Sequence, residues 1–266
     1  MLVEALAKRG IRGVAVVWDA GEAMDADAIL LRSVWDYHLR SEEFLAWVAR
    51  AGAAGTVWND PALVAWNAHK TYLRDLEGRG VAVVPTLWVE RGAAVDLGRE
   101  VAARGWGDVV VKPAVSAGAH RTVCFAASER GAAPPQALEH LARLASDGVA
   151  MVQPYLHSVD GYGERSFMFI EGAFTHGVRR QPVLTQRYEA EAPAPRVEPD
   201  RDELVLCHAT LAALEQAPLY ARIDVARDET GRPRLMELEL IEPRLYFREA
   251  PAAADALAEA IAARMA

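Results

Sequence analysis

Apolar and polar positions in the first quarter of the chain follow the pattern of a unit in which helices and strands alternate. Short apolar runs predict strands, and longer stretches with apolar residues three and four apart predict helices. The predicted elements are a helix over residues 2–8, strands over residues 14–18, 29–32 and 56–58, and a helix over residues 41–51 with Ser41 as its N-cap. Because the chain begins at a helix, we expect this α/β unit to lack its first strand.

The pattern changes near Pro61, beyond which strands and helices are followed by hairpins. The elements predicted up to residue 153 are a helix over residues 67–77 leading into an apolar run at 81–85, strands over 109–112, 122–125 and 151–153, and a helix over 135–145. The elements predicted beyond it are hairpins of 166–170 with 174–179 and of 220–226 with 234–241, a mobile loop over 189–200, and helices over 202–216 and 252–265, the last with Leu257 and Ile261 inward.

Composition narrows the class of protein. The 266 residues carry 29 Lys+Arg against 37 Asp+Glu, a net charge of −8 that argues against nucleic-acid binding. The hydrophobic share of 52% supports a folded core, and the length predicts more than one lobe. Cys124 and Cys207 are far apart, so neither a disulfide framework nor a cysteine zinc site is expected. Without a signal sequence or an apolar run near ~20 residues, we expect a soluble cytoplasmic protein.

The final hairpin offers a set of carboxylates. Side chains two apart on a strand share a face, so Arg222 points with Asp224 and Glu237 points with Glu239. The turn predicts pairing of 224 with 237 and of 222 with 239. The opposite face is assigned to Ile223, Val225, Met236, Leu238 and Leu240. Clustered carboxylates suit Mg²⁺, although the hairpin taken alone favours a solvated face with cross-strand ion pairs. Glu242, just beyond the hairpin, keeps the metal hypothesis open.

Two lysines are candidate phosphate ligands. Lys112 ends a buried strand and precedes a loop of small residues that includes Ser116 and Gly118, where backbone N–H groups can approach an anion. The alternative is a lysine that reaches solvent from the strand end. Lys70, on its predicted helix, carries a weaker signal.

The segment 153–156 follows a strand that Pro154 interrupts, which leaves backbone groups able to bind an adenine edge, unless it is a simple strand-to-loop transition. His176, Arg179 and Arg180 form either a cationic clamp or surface charge. The remaining histidines are expected to be structural or exposed, because they lack the spacing of a zinc site; they are His38, His69, His140, His157 and His208.

The order of these features resembles the ATP-grasp superfamily, in particular its branch related to glutathione synthetase, which includes the cyclo-ligase of cycloserine biosynthesis that acts on an O-ureido amino acid. The resemblance covers nearly the whole chain from Val14. The segments that carry it are Arg-Ser-Val-Trp-Asp-Tyr at 32–37, Asn-Ala-His-Lys at 67–70, Lys-Pro-Ala-Val-Ser-Ala-Gly at 112–118, Gly-Glu-Arg-Ser at 163–166, Phe-Thr-His at 174–176, Ala-Arg-Ile-Asp at 221–224 and Glu-Leu-Glu-Leu-Ile-Glu-Pro at 237–243.

The resemblance implies an α/β protein with the α+β ATP-grasp fold. An N-terminal pre-ATP-grasp α/β lobe (1–66) would precede a small lobe (67–154) and a C-terminal lobe with the metal site (155–266), the last two clasping the nucleotide. The implied nucleotide ligands are Lys70, Lys112, Ser116, Gly118, Gln153, Tyr155 and Leu156, with Asp160 or Glu164 as the candidate for the ribose. Asp224, Glu237 and Glu239 would bind two Mg²⁺ ions, and Arg222 and Arg180 would serve catalysis.

The implied activity is ADP-forming ligation of a small amino-acid-like carboxylate to a nitrogen nucleophile through an acylphosphate, with intramolecular capture left open. A ligase that adds amino acids to a peptide or protein, and a nucleotide-binding protein without turnover, are the alternatives. The chain departs from the family pattern at Glu239, where many members have asparagine, and at Arg180, where relatives often have lysine. It also has Ser158 where an acid usually follows the segment 153–156, and it lacks the paired glycines expected near Arg187. Neither nucleic acid nor membrane is an expected partner, and a homo-oligomer is left open.

Overall fold

The structure, a computed structural model, describes residues 1–20, 26–127, 134–181 and 194–266. The described strands form a two-stranded, a four-stranded and a five-stranded sheet. Packed with these sheets are the helices α1 Leu2–Ala7, α2 Ser41–Ala54, α3 Pro61–Asn67, α4 Tyr72–Gly78, α5 Leu97–Ala103, α6 Pro135–Asp147, α7 Ser158–Gly161, α8 Arg201–Ala212 and α9 Pro251–Met265. In the described residues, no helix has both the length and the apolar composition needed to cross a membrane.

The first sheet pairs β1 (Ala28–Leu30) with β2 (Thr56–Trp58) in parallel. The strand predicted over residues 14–18 is wrong, because Val14, Val16 and Val17 are exposed and this run has no strand partner among the described residues. Trp18 is nevertheless buried, with its ring 5.5 Å from that of Phe44.

The predicted cap of α2 also differs from the structure. Arg40 is the N-cap of α2, and Ser41 is its first helical residue and makes no capping hydrogen bond. Glu42 and Glu43 still stand in the first turn, where the helix dipole favours carboxylates.

The four-stranded sheet is antiparallel, and its spatial order is β3-β6-β4-β5. Its strands are β3 Leu87–Val89, β4 Val109–Pro113, β5 Val123–Phe125 and β6 Ala150–Pro154. The predicted strands at 109–112, 122–125 and 151–153 are confirmed within a residue or so, whereas β3 and α5 were not predicted. Leu141 and Leu144 of α6 pack with Val109 and Val111 in one buried cluster, which supports β4 just before it delivers Lys112.

The five-stranded sheet is also antiparallel, and its spatial order is β11-β10-β7-β8-β9. Its strands are β7 Glu164–Ile170, β8 Ala173–Arg180, β9 Arg196–Val197, β10 Tyr220–Arg227 and β11 Pro233–Glu239. Both predicted hairpins are therefore confirmed. One face packs on α8 through Phe167, Ile223 and Cys207, and part of the other packs on α9 through Tyr220 and Leu257.

Three further predictions need correction. The helix expected over 67–77 is two helices, α3 and α4, and Lys70 stands in the connection between them. The helix expected over 202–216 is α8, which ends earlier, at Ala212. It begins with a reciprocal capping box of Asp200 and Glu203. The predicted loop at 189–200 lies outside the described residues up to 193, and β9 occupies part of the remainder. The inward placement of Leu257 and Ile261 on α9 is confirmed.

The break between α3 and α4 has a tertiary cause. The Asn67 side chain ends α3 by hydrogen bonding to β11 and its extension: Nδ2 donates to the Leu238 carbonyl at 2.8 Å, and Oδ1 accepts from Leu240 N–H at 3.0 Å. Leu238 N–H in turn donates to the Tyr72 hydroxyl at 2.9 Å. These contacts fix Lys70 beside the strand that carries Glu237 and Glu239. The predicted lobe boundaries, after residues 66 and 154, stay a prediction.

Candidate active site

The structure gathers nearly all of the predicted site residues around one cavity of about 620 Å³. Those that line it are Lys70, Lys112, Ser116, Gly118, Gln153, Tyr155, Leu156, Glu164, Arg180, Arg222, Glu237 and Glu239. Asp224 does not line the cavity; it is buried and is reached through Arg180 and Arg222, which do. The cavity lies where β4, β6 and the loop after β4 face β7, β10 and β11. The roles assigned to these residues stay predictions.

A cluster of carboxylates stands on the five-stranded sheet. Asp224 pairs with Glu237 and Arg222 with Glu239, the register that the turn predicts. One carboxylate oxygen from each of Asp224, Glu237 and Glu239 lies within 4.8 Å of the others. Three converging oxygen ligands match the preference of Mg²⁺, which binds through a few carboxylates and completes its shell with phosphate and water. The donor set therefore fits magnesium.

The predicted face of Met236 is wrong because the hairpin contains a β-bulge. The register shifts after Asp224, so Val225 pairs with Leu235. The extra residue turns Leu235 into the buried core and leaves Met236 on the cavity wall. Met236 packs there with Leu156 and thus adds an apolar surface to the cavity wall.

Two arginines neutralise these carboxylates in the ligand-free arrangement. Arg222 binds Asp224 through two nitrogens, at 2.9 Å (Nε–Oδ1) and 2.8 Å (Nη2–Oδ2), and also pairs with Glu239. Arg180 Nη1 lies 2.9 Å from Asp224 Oδ2 and 2.7 Å from Glu164 Oε1. Burial alone would raise the pKa of Asp224, but Arg222 and Arg180 outweigh it and the pKa is lowered.

Glu239 and Glu164 carry raised pKa values, which marks the crowding of charge. Burial raises the pKa of Glu239 to about 7, with Arg222 opposing the rise and Glu237 adding to it. Burial likewise raises the pKa of Glu164, against the opposing effect of Arg180. A bound divalent cation would reverse the shift at Glu239, because it favours the ionised carboxylate.

The two lysines differ in their surroundings. Lys70 is buried, donates to the Ser116 carbonyl at 3.1 Å and pairs with Glu237. Burial acts to lower the pKa of Lys70, but Glu237 outweighs it and the pKa is raised. Burial lowers the pKa of Lys112 to about 8, with Lys70 adding to the effect and Glu237 opposing it. Lys112 forms no ion pair within 4.0 Å among the described residues, so its ammonium is available to an anionic ligand.

The loop after β4 has the backbone form of an anion cradle. Gly118 and Ala119 both have a φ of 58°, and Arg121 has a φ of 55°. A left-handed residue beside a right-handed one turns successive backbone N–H groups toward the concave side of a loop, which favours anions. A side chain on Gly118 would meet nothing within 4 Å, so its glycine is required by backbone angle and not by space.

The strand-to-loop segment at 153–156 is only partly as predicted. Gln153 lies in β6 and donates through Nε2 to Thr86 Oγ1 at 2.9 Å. The Tyr155 N–H, expected to be free, donates to the Asp108 carbonyl at 2.8 Å. Among the hydrogen bonds of the described residues, none involves Leu156 N–H. In this segment, Leu156 N–H is therefore the backbone donor that can bind a ligand at this edge of the cavity.

The predicted cationic clamp reduces to Arg180. His176 is buried and bonds the Leu245 carbonyl at 3.1 Å, and burial lowers its pKa to about 4, so it is neutral near pH 7. Arg179 is on the exposed side of β8 and donates to the Gly161 carbonyl at 2.7 Å. Conversely, His38 belongs to the cavity wall, and its ring lies 5.0 Å from that of His120. Sequence spacing did not indicate this pair, because its members are 82 residues apart.

Several cavity residues were not assigned as site residues. They are Trp35, Glu242, Arg244 and Tyr246, together with the apolar Val84, Val110 and Val159. Trp35 stands in the 32–37 segment of the family pattern, and Glu242 follows the Glu-x-Glu strand, so both carried a signal. Arg244 and Tyr246 follow β11 in an irregular segment, where no periodicity marks an inward residue.

Comparison with known structures gives the class. D-alanine–D-alanine ligase from Bacillus anthracis superposes with a TM-score of 0.69 at 16% identity, covering 99% of this chain and 89% of that one. The ATP-grasp ligase PsnB, in complex with a minimal precursor, Mg and ADP, gives a TM-score of 0.63 at 18% identity, covering 100% and 93%. The chain therefore has the fold of these ligases, the ATP-grasp fold.

Sequence comparison gives the family. The model of the N-terminal domain of D-cycloserine synthetase DcsG matches residues 1–59. The cycloserine biosynthesis protein DcsG of Streptomyces lavendulae is 31% identical over 284 residues, covering 99% of this chain and 92% of that protein. The crystal structure of D-cycloserine synthetase DcsG superposes with a TM-score of 0.88 at 30% identity, covering 100% and 93%. The chain therefore belongs to the DcsG family of ATP-grasp enzymes and is an ATP-dependent ligase that forms carbon–nitrogen bonds.

Proposed function

We propose that this enzyme uses ATP to convert a small amino-acid-like carboxylate into an acylphosphate, which a nitrogen of the same molecule then captures to close a ring. The observation that carries the proposal is the placement of the carboxylate cluster, both lysines and Arg222 around one cavity. The similarity to D-cycloserine synthetase supports the cyclic product. In the first step a carboxylate oxygen attacks the γ-phosphorus and ADP leaves; in the second the nitrogen attacks the acyl carbon and phosphate leaves.

The nucleotide would lie with its phosphates toward Lys70 and Lys112 under the loop at 116–120. Leu156 N–H would donate to the adenine edge. Glu164, a cavity carboxylate at the start of β7, is our candidate for the ribose. Lys70 is buried and Lys112 is half-buried, and thus both lose less binding energy to solvent than exposed lysines would. To bind phosphate, Lys70 must give up its ion pair with Glu237. A metal cation bound to Glu237 would release Lys70 from this pair.

The metal site would hold two Mg²⁺ ions on Asp224, Glu237 and Glu239, where they supply charge neutralisation for the phosphoryl group being transferred. Arg222 is already held by Asp224 in a two-point geometry, so its guanidinium needs no reorganisation to stabilise an oxyanion on the acyl carbon. Arg180, fixed by Glu164 and Asp224, would bind the transferred phosphate.

The test is incubation with ATP, Mg²⁺ and O-ureido-serine in D and L forms, beside a panel of amino acids with and without a second nitrogen nucleophile. We expect ADP and phosphate in equal amounts together with one cyclic product. Release of ADP only with a polypeptide acceptor would favour a peptide-modifying ligase. Nucleotide binding with hydrolysis at background for every carboxylate would favour a protein without turnover. Arg222→Met, which removes the charge and keeps an unbranched apolar side chain, serves as the inactive control.

A further inference from the structure

One carboxylate on the cavity wall lacks a cation. Glu242 follows β11, lines the cavity and has only 7% of its surface exposed. Among the described residues, none donates a hydrogen bond to its side chain from another position or brings a cationic group within 4.0 Å of it. The Trp35 indole reaches only its backbone, donating to the Glu242 carbonyl at 3.1 Å.

The other acids of the site each have a resident cation. Asp224 binds Arg222 and Arg180, and Glu164 binds Arg180. Glu237 pairs with Lys70, and Glu239 pairs with Arg222. Lys70 and Arg32 influence Glu242 without forming an ion pair with it within 4.0 Å among the described residues, and burial favours its neutral form. The contrast with the other acids therefore indicates that a cation that pairs directly with Glu242 comes with a ligand.

A magnesium ion is a poorer candidate than a ligand cation for the partner of Glu242. The carboxylate oxygens within 4.8 Å of one another come from Asp224, Glu237 and Glu239, and Glu242 is outside this cluster. Glu242 is nevertheless close enough to Glu239 for the two to repel, and this repulsion adds to burial in raising the pKa of Glu242. It therefore stands beside the metal cluster and not within it.

We propose that Glu242 binds the ammonium group of the substrate, so that the enzyme selects carboxylates that carry a free α-amine. This inference rests on the proposed function, because it assumes that the reacting carboxylate lies at the metal cluster. In an α-amino acid the nitrogen and the carboxyl carbon are about 2.5 Å apart, by ordinary bond lengths and angles. A group that binds the ammonium must therefore adjoin the cluster, as Glu242 does.

Trp35 completes this subsite. Its side chain lines the cavity and is 55% exposed, although a tryptophan normally buries more of its surface. Its indole N–H holds the Glu242 backbone, and its ring face can attract a cation. The subsite thus combines one carboxylate and one aromatic face, which suits a primary ammonium and disfavours a hydroxyl or a methyl group in the same place.

The test measures binding by calorimetry to the full chain in the presence of ADP and Mg²⁺, with two matched pairs of probes. They are D-cycloserine against isoxazolidin-3-one, and serine against glycerate, so that each pair differs by the amine. We expect the wild type to bind each amine at least tenfold more tightly than its partner, and Glu242→Gln to abolish this preference without changing the affinity for Mg²⁺ and ADP. Glu171→Gln, at an exposed acid paired with Arg264, is the control.

Unchanged preference in Glu242→Gln, or absence of a preference in the wild type, would overturn the inference. So would a loss of Mg²⁺ affinity in Glu242→Gln, which would make Glu242 a metal ligand. Should Glu242→Gln fail to fold, Glu242→Asp replaces it, and we expect it to reduce the preference because the carboxylate is one methylene further from the ammonium. An intact preference with no ADP release from any carboxylate would uphold the subsite and refute the proposed function.

Discussion

The pKa of Lys112 predicts how nucleotide affinity depends on pH. The unliganded protein holds this pKa at about 8, below the ordinary 10.5, because the ammonium is buried. ADP and ATP bind the charged form, so binding above pH 8 requires that the lysine take up a proton. The affinity for ADP and ATP should therefore reach its full value well below pH 8 and should fall as pH rises through 8.

The size of the effect follows from the charged fraction. With a pKa of about 8, this fraction is roughly three quarters at pH 7.5 and about one tenth at pH 9. Affinity for ADP should thus fall about eightfold between these two values. The slope of log Kd against pH should approach one at higher pH, until the pKa of the nucleotide-bound lysine is reached.

The assay is a titration of ADP at saturating Mg²⁺ from pH 7.5 to 9.5, followed by calorimetry or by a fluorescent nucleotide. Lys112→Arg is the matched control, because a guanidinium remains charged throughout this range. The prediction is a steep profile of log Kd against pH for the wild type and a flat profile for Lys112→Arg. Equal slopes in the two proteins would refute the reasoning, since another group would then govern the pH dependence.

Three further outcomes follow from the described contacts. Glu237→Gln should raise the Mg²⁺ requirement for turnover by roughly 10–100-fold or more while leaving the affinity for adenosine unchanged, as measured by ADP release against Mg²⁺ concentration. Asn67→Ala leaves two buried backbone groups of the β11 segment without partners, so the free energy of unfolding in urea should fall by about 2–5 kcal/mol, against little change for the exposed Glu77→Ala. Cys207 is fully buried and burial raises its pKa, so iodoacetamide should label Cys124 first and Cys207 only on unfolding, as peptide mass mapping would reveal.

The sequence predicts the site better than it predicts the first lobe. The pairing of Asp224 with Glu237 could be predicted because side-chain alternation along strands and the length of a turn are local properties. The bulge beside it could not, because one inserted residue changes which way Met236 points without any change in composition. Similarly, nothing in the local pattern separates an apolar run that pairs in a sheet from Val14 and Val16, which remain exposed.

Residues whose role depends on distant partners were the hardest to assign. Asn67 falls inside a helical pattern, yet its amide bonds a strand about 170 positions later and ends the helix there. His176 looked cationic beside two arginines, yet burial lowers its pKa and makes it neutral, against the opposing effect of its hydrogen bond to the Leu245 carbonyl. Of the two candidate lysines, Lys70 had the weaker signal in the sequence. It is nevertheless the one that contacts both the loop after β4, at Ser116, and the carboxylate cluster, at Glu237.

Under the proposed function, these contacts prepare the site for a polyanion. Each carboxylate of the cluster has a lysine or arginine partner, so strongly repelling side chains stay close together without a metal. The same pairs engage Lys70, which under the proposed function also binds the nucleotide. A divalent cation on Glu237 would free Lys70 for phosphate, and phosphate would in turn complete the shell of that cation. Metal and nucleotide should therefore bind cooperatively through Lys70, while Lys112, which has no ion pair among the described residues, contributes to nucleotide affinity directly.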